Sequence, residues 1–321
     1  MKAIVQTAYG SPDVLELRDI DKPMIGDRHV SIRVHAAGVH RGDWLVMRGL
    51  PYIARLGYGL LTPKNSVAGM EVAGKVEGIG KDVTRFQVGD EVFGWCHGAF
   101  DEYVSVSEDA LAVKPANITL KQAAAFPISA FAALQALRDT GRIQPGHKVL
   151  IIGASGGVGT FAVQMAKSYG TDVTGVCSAK NVEMVRSIGA DHVIDYARED
   201  FADGGRPYDL ILDIAGNRSL SHLRRALTPL GTLVLVGGSG GPWLMGTERT
   251  LRALILSPFV RQRLRGFLSQ PKKEDLAVLK ELIEAGKVTP VIDRTYPLSE
   301  VPEAMRYLEE RHPGGKIVIT M

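Results

Sequence analysis

Gly153–Gly159 reads GASGGVG, and the reading of this turn decides the fold. It follows the apolar run Lys148–Ile152 (KVLII) and opens a stretch of helical spacing, Val158–Tyr169. Strand, glycine-rich turn and helix in that order is the context a dinucleotide-binding turn requires. Gly156, Gly157 and Gly159 lack Cβ atoms, so the backbone can turn tightly and approach a pyrophosphate. The helix start then offers free N–H groups and a partial positive charge to phosphates. The spelling departs from G-x-G-x-x-G, because Ala154 stands where the first glycine belongs. A tight strand–helix turn without a ligand is the alternative reading, and the flanking sequence argues against it.

Downstream of the turn, strand and helix alternate. Asp172–Cys177, His192–Asp195, Leu210–Ile214 and Leu233–Val236 read as strands, and Val182–Ile188 and Leu220–Leu227 as helices. Apolar strands separated by helices predict an α/β fold with a doubly wound parallel sheet. Upstream, Leu120–Arg138 is alanine-rich with helical spacing either side of Pro127. Before it, short alternating runs such as His29–His35, Val72–Ile79, Glu91–Phe93 and Tyr103–Val106 predict an antiparallel barrel or sandwich. One long loop, Arg48–Asn65, interrupts them; loops of that length are usually functional or mobile. After Gly241 the chain is basic and helical, with alternation at Arg261, Arg263 and Arg265 that suits a strand with one polar face. Lys273–Ala285 is an amphipathic helix, and Lys316–Thr320 (KIVIT) is a strand that returns to the first domain.

The tip of the second strand selects the nucleotide. An NAD site places Asp or Glu there, to accept from the ribose 2′-OH. Here the strand Asp172–Cys177 has its acid at the wrong end, and the tip reads Ser178, Ala179, Lys180, Asn181. A hydroxyl, an ammonium and an amide suit a 2′-phosphate, which points to NADPH. Lys180 as a solvated loop residue and Asn181 as an N-cap is the competing reading.

Composition narrows the partners. With 38 basic and 35 acidic residues the net charge is +3, and no polybasic run argues for nucleic acid. Two cysteines, Cys96 and Cys177, make no disulfide framework and cannot supply a four-cysteine zinc lobe. Met1–Tyr9 does not read as a signal peptide, and no apolar run is long enough to cross a membrane. The expectation is a soluble cytoplasmic protein with a small-molecule substrate.

These residues together resemble the medium-chain dehydrogenase/reductase superfamily, and within it the zinc-independent quinone oxidoreductases. The resemblance rests on GASGGVG, the Ser178–Asn181 tip, Asp195–Tyr196, Ala68–Gly80 (AGMEVAGKVEGIG), Val88–Gly94 (VGDEVFG) and Gly315–Ile317 (GKI), in the family's order along nearly the whole chain. It implies a GroES-like β-rich catalytic domain, residues 1–121 and 271–321, around a Rossmann NADP-binding domain, residues 122–270. It implies NADPH on Ser155, Gly156, Gly157 and Val158 at the pyrophosphate, and on Ser178, Lys180, Asn181 and Tyr196 at the 2′-phosphate. Val236, Gly237, Gly238 and Ser239 would line the nicotinamide, and Lys316 would also contact the cofactor. The family's cofactor-contacting threonine after Pro127 matches Ala132 here, so that contact is not carried over. Relatives tend to pair through edge strands, which makes Arg263–Ser269 a candidate homodimer interface.

Zinc-dependent members carry Cys in a Gly-x-Cys segment and His in a Gly-His-Glu segment. Here these read Gly38-Val39-His40 and Gly69-Met70-Glu71, and a thioether is a poor zinc ligand. No metal is expected. Without a Lewis acid for an alkoxide, substrates that delocalise charge themselves are favoured, namely quinones and enones. His40 is a candidate to hydrogen-bond a carbonyl or supply a proton, and Tyr52 a candidate phenolic donor to an enolate. A packed barrel histidine and an amphipathic loop tyrosine are the alternatives. Asp43 and Trp44 are read as fixing the loop, and Trp243, Leu244, Met245 and Phe259 as a cap on the substrate. The function expected is NADPH-dependent quinone or enone reduction. An NADP-dependent alcohol dehydrogenase, an enoyl reductase acting on a carrier-bound chain, and a non-catalytic NADPH-binding protein are the alternatives.

Overall fold

The structure is a computed structural model, and it describes residues 1–238, 241–244, 246–311 and 313–321. The chain divides into two compact units, Met1–Ser129 with Pro271–Met321, and Ala130–Gln270. The first boundary therefore lies at Ser129/Ala130 rather than at the expected 121/122. The reason is the short helix Leu120–Ala124, which packs on the strands His29–Val39, Glu71–Ile79 and Glu91–Trp95 of the first unit. A capping box closes its start: Thr119 accepts from the Gln122 N–H, and Gln122 accepts from the Thr119 N–H.

The second unit is a six-stranded parallel sheet. Its order runs His192–Asp195, Asp172–Cys177, Lys148–Ile152, Tyr208–Asp213, Leu227–Leu235, Arg263–Gly266. Five of these strands end where the sequence pattern ends them or within a residue of it. Val149, Leu150 and Ile151 are fully buried, which explains an apolar run without alternation: both faces of a parallel sheet are covered. The chain leaves Lys148–Ile152 in one direction for Asp172–Cys177 and later returns to its other side at Tyr208–Asp213. That reversal is the topological switch point, where ligands of such sheets bind.

The basic stretch after Gly241 resolves into the helix Thr247–Leu256 and the edge strand Arg263–Gly266. Arg263 and Arg265 point to solvent on either side of fully buried Leu264, as period-two alternation requires.

The first unit is built on a seven-stranded sheet. Ile292–Pro297, Lys316–Thr320, His29–Val39, Glu71–Ile79, Glu91–Trp95 and Leu111–Val113 lie in that order, and Tyr103–Ser107 also pairs with His29–Val39. The returning strand Lys316–Thr320 runs antiparallel to His29–Val39, with Ile317 opposite Val39. The expected loop Arg48–Asn65 contains a 3-10 turn, Tyr52–Ala54, and one helical turn, Arg55–Tyr58. The helices Arg41–Arg48 and Val301–Arg311 and the strand pair Lys2–Gln6 and Leu15–Asp19 complete the unit.

Asp101 bridges to Ala3 in this unit and is 4% exposed. Burial pushes its carboxyl from the ordinary 3.8 up to about 6. A raised carboxylate pKa means that folding disfavours the ionised form. The cost is absent below the unfolded-state value, grows as pH rises towards 6, and stays constant above. Asp101→Asn, which keeps an acceptor for the Tyr103 N–H, should therefore stabilise the protein by up to about 3 kcal/mol at pH 7.5 and by almost nothing at pH 3.5. Urea unfolding at the two pH values checks this; an equal effect at both would mean that Asp101 keeps its water.

Candidate active site

At the switch point the backbone makes a tight turn into a helix. Gly153 and Ala154 both donate to the Val176 carbonyl, at 3.1 and 3.0 Å, which ties the turn to the neighbouring strand. The helix Gly157–Ser168 starts directly after, with Gly156 as its N-cap. The amides of its first turn have no partner within the helix and are available to a phosphate. Two glycines here do different work. A Cβ on Gly159 would lie 2.1 Å from the Gly153 carbonyl oxygen, so packing of the turn alone demands glycine. A Cβ on Gly156 would meet nothing closer than 3.6 Å. The fold itself does not require glycine there, and the open space suits a bound pyrophosphate.

The strand tip is tied to the same turn. The Asn181 amide donates to Ser155 Oγ at 3.1 Å and to Ser178 Oγ at 3.3 Å. It makes no cap bond to the following helix Val182–Ser187, so its side chain is used across the tip and not as an N-cap. The Tyr196 N–H donates to the Cys177 carbonyl at 3.2 Å, and Asp195 pairs with Cys177 in register. Ser155, Ser178, Asn181 and the start of Tyr196 are thus brought to one end of the sheet, with Lys180 exposed beside them. Asp195, an acidic neighbour of the tip, is 9% exposed and spends its carboxylate on the Ala197 N–H at 3.1 Å and on Arg198 at 3.7 Å. Cys177 lies under it as a neutral thiol, pushed up to about 11 by burial and the Asp195 charge.

On the other side of the switch point, Val236 and Gly237 donate to the Asp213 carbonyl, both at 3.0 Å. The Asp213 carboxylate accepts from the Gly216 N–H at 3.0 Å and from Arg249, which latches the helix Thr247–Leu256 to the strand end. Gly238 follows, exposed; Ser239, also expected at the nicotinamide, and Met245, expected in the cap, lie outside the described residues. Trp243, Leu244 and Phe259 are exposed on this unit.

Lys316, which the resemblance places at the cofactor, instead has its side chain 1% exposed and turned into the first unit. Its ammonium donates to Glu71 Oε2 at 2.5 Å and to Ser129 Oγ at 3.0 Å. Glu71 Oε1 in turn accepts from the N–H groups of Ile128 and Ser129, at 2.8 and 3.4 Å, at the start of the helix Pro127–Gln135. A lysine in an apolar strand finds its partner 245 residues away, and sequence spacing carries no sign of that.

His40 sits at the N-cap of the helix Arg41–Arg48 and is 7% exposed. Its Nδ1 lies 2.8 Å from Asp43 Oδ2 and 3.0 Å from the Asp43 amide, while the His40 N–H donates to Asp43 Oδ2 at 2.9 Å. Asp43, read from the sequence as fixing the loop, is thus the partner of His40; their three-residue spacing is that of a capping box and is the signal for the pairing. Tyr52 is 37% exposed, with the Arg55 guanidinium 4.7 Å from its ring centre. Burial, then the charges of Asp43 and Asp101, push the Cys96 thiol up, so it is no nucleophile.

The donor set at the zinc position does not fit a zinc ion. Met70 replaces a histidine ligand, and Glu71 is saturated by two N–H groups and an ammonium that repels a cation. Among the described residues no three His, Cys, Asp or Glu side chains are gathered to hold a metal.

Two family models match the chain: the alcohol dehydrogenase GroES-like domain at residues 26–116, and the zinc-binding dehydrogenase domain at residues 188–319. The chain is 36% identical to the mitochondrial NAD(P)H oxidoreductase RTN4IP1 of Bos taurus, over all of this chain and 89% of that one. It is 29% identical to the chloroplast envelope quinone oxidoreductase homolog of Arabidopsis thaliana, over 99% and 98% of the two chains. The solved structure of the quinone oxidoreductase from Coxiella burnetii superposes with a TM-score of 0.88 at 31% identity, covering 100% and 99%. With the GroES-like and Rossmann units both matched, the protein is an NAD(P)H-dependent oxidoreductase that belongs to the medium-chain dehydrogenase/reductase superfamily, in its quinone oxidoreductase branch.

Proposed function

We propose that the protein reduces quinones or enones with NADPH, by hydride transfer without a metal. The observation that carries this reading is the acid-free strand tip, where Asn181 joins Ser178 to Ser155 of the glycine turn. Ser178, Lys180, Asn181 and Tyr196 hold the 2′-phosphate, and Ser155, Gly156, Gly157 and Val158 the pyrophosphate. Val236, Gly237 and Gly238 line the nicotinamide. Bound there, NADPH supplies a hydride from C4 of its nicotinamide. His40 and Tyr52 are the side chains proposed to meet the acceptor.

The zinc position supports metal-free chemistry through its own occupants. With Lys316 on Glu71 and Met70 beside it, no group of this site polarises a simple ketone as a Lewis acid does. Acceptors that spread the incoming charge over a conjugated system need less help. NADPH consumption by chelator-treated protein is therefore expected with quinones or enones, undiminished by the chelator and weaker with NADH. Turnover confined to alcohols and ketones would favour an alcohol dehydrogenase. Tight NADPH binding with no turnover on free acceptors would favour a carrier-bound enoyl substrate or a binding protein.

The edge strand Arg263–Gly266, with exposed Phe259 and Leu268 at its ends, is the surface we propose for a homodimer. Light scattering on the eluted protein gives its mass. No helix among the described residues is long and apolar enough to cross a membrane. The free cysteines Cys96 and Cys177 suit a reducing compartment, and we place the protein in the cytoplasm, unlike the bovine relative whose name is mitochondrial.

A further inference from the structure

We infer that His40 and Asp43 form a proton-delivering dyad, in which Asp43 is the positioning residue and His40 Nε2 gives the acceptor its proton. The inference rests on the reductase reading above. Three geometric facts support it. Asp43 Oδ2 is 2.8 Å from His40 Nδ1, and both side chains are almost fully buried, so their attraction is little screened. The same oxygen takes the His40 N–H at 2.9 Å, which fixes the carboxylate relative to the ring. Nε2 carries no hydrogen bond to any described residue, so Nδ1 is held and Nε2 is left for a ligand. Gly42 makes room for this ring: a Cβ there would lie 2.8 Å from His40 Cε1 and 3.2 Å from Nε2.

Nδ1 faces both the Asp43 amide and the Asp43 carboxylate, and it cannot serve both at once. Without a proton it accepts from the amide; with one it donates to Oδ2. The charged ring therefore holds Nδ1–H on Asp43 and Nε2–H outward. When the hydride's electron pair has entered a quinone or enone, the acceptor is an anion. The Nε2–H bond then breaks, the acceptor's oxygen or carbon lone pair takes the proton, and the ring keeps the N–H electron pair as neutral imidazole. Water returns the proton to Nε2. One hydride and one proton reduce one acceptor, so atoms and charge balance.

The charged groups facing His40 are Asp43 from its own helix, Glu71 from the strand Glu71–Ile79, and Lys316 from the strand Lys316–Thr320. Burial alone disfavours the imidazolium; Asp43 and then Glu71 outweigh it, against Lys316, and hold the ring above its ordinary value. The donor form is present below that raised value and is lost as pH rises through it.

Asp43→Asn tests the dyad. The asparagine Oδ1 still accepts the His40 N–H, so the helix cap survives while the carboxylate charge goes. The His40 ring is titrated by NMR in histidine-labelled protein, with the His40 signal assigned by its loss in His40→Gln. Proton affinity at His40 is expected to fall about tenfold or more in Asp43→Asn, and the alkaline limb of kcat to move down with it while KM stays. A purely structural Asp43 would lower kcat at every pH and leave both the titration and the limb in place, which overturns the dyad. A moved titration with an unmoved limb overturns proton delivery. If Asp43→Asn does not fold, a wild-type His40 titration at or below 6.5 overturns the pairing. The titration needs no turnover, so failure of the reductase reading is seen separately.

Discussion

Lys316→Met should cost about 3–5 kcal/mol of folding stability, the usual result of removing one partner of a buried ion pair. The pair is as buried as any among the described residues: Lys316 and Glu71 side chains are 1% and 0% exposed, 2.5 Å apart. Methionine matches the lysine stem and fills the same volume, so little packing is lost. What remains is a carboxylate with only the Ile128 and Ser129 N–H groups to face. For a protein of this size that cost lowers the melting temperature by roughly 4–7 °C. The companion variant decides the cause. Glu71→Gln in the same chain keeps an acceptor for Ile128 and removes the orphan charge, so the double variant should regain most of the loss. A coupling energy of at least about 2 kcal/mol in that cycle is expected from denaturant unfolding. Additive effects would mean that Lys316 acts through its stem alone.

The same residue shows where sequence reading stops. The parallel sheet was legible because its rule is local. Strands buried on both faces read as continuous apolar runs, and Lys148–Ile152 and Asp172–Cys177 have the bounds their sequences suggest, as do the edge strand His192–Asp195 and, in the first unit's sheet, Lys316–Thr320. Leu227–Leu235 was shortened in that reading, because Pro229 and Gly231 imitate a turn; the strand carries a register shift between its pairings with Tyr208 and Leu210. The Lys316–Glu71 contact obeys no local rule, since it is made by sheet pairing between chain ends. The helix Arg41–Arg48 escaped because its cap is a histidine, with a glycine in the first turn, where serine or threonine is the familiar signal. Without that signal Asp43 reads as a loop anchor. The glycine turn is legible as structure, since strand, glycine turn and helix are contiguous. Its link to Asn181 was not, because an amide before a helix looks like an N-cap and here bonds Ser155 and Ser178 instead.

Ser178→Asp should weaken NADPH binding about 10- to 100-fold and leave NADH binding unchanged or slightly better. The wild-type tip carries no free carboxylate: Asp195 is committed to Ala197 and Arg198, and Asp172 lies at the far end of its strand. A new aspartate at the tip meets a group of nearly two negative charges at close range. It also removes a hydroxyl that we propose as a donor to that group; one such charge-assisted bond is worth about 1.5–3 kcal/mol. Against NADH the same carboxylate gains, because it accepts from the ribose 2′-OH that replaces the phosphate. The Asn181 amide, 3.3 Å from Ser178 Oγ, can donate to the new carboxylate as it did to the hydroxyl, so the turn itself should survive. Fluorescence titration of both nucleotides reads the two affinities directly. Lys180→Ala separates charge from shape: it should weaken NADPH about tenfold, more at low salt than at high, and spare NADH. If Ser178→Asp leaves NADPH affinity untouched, the 2′-phosphate does not lie at this tip. The preference for NADPH would then have to be sought among other cations of the second unit.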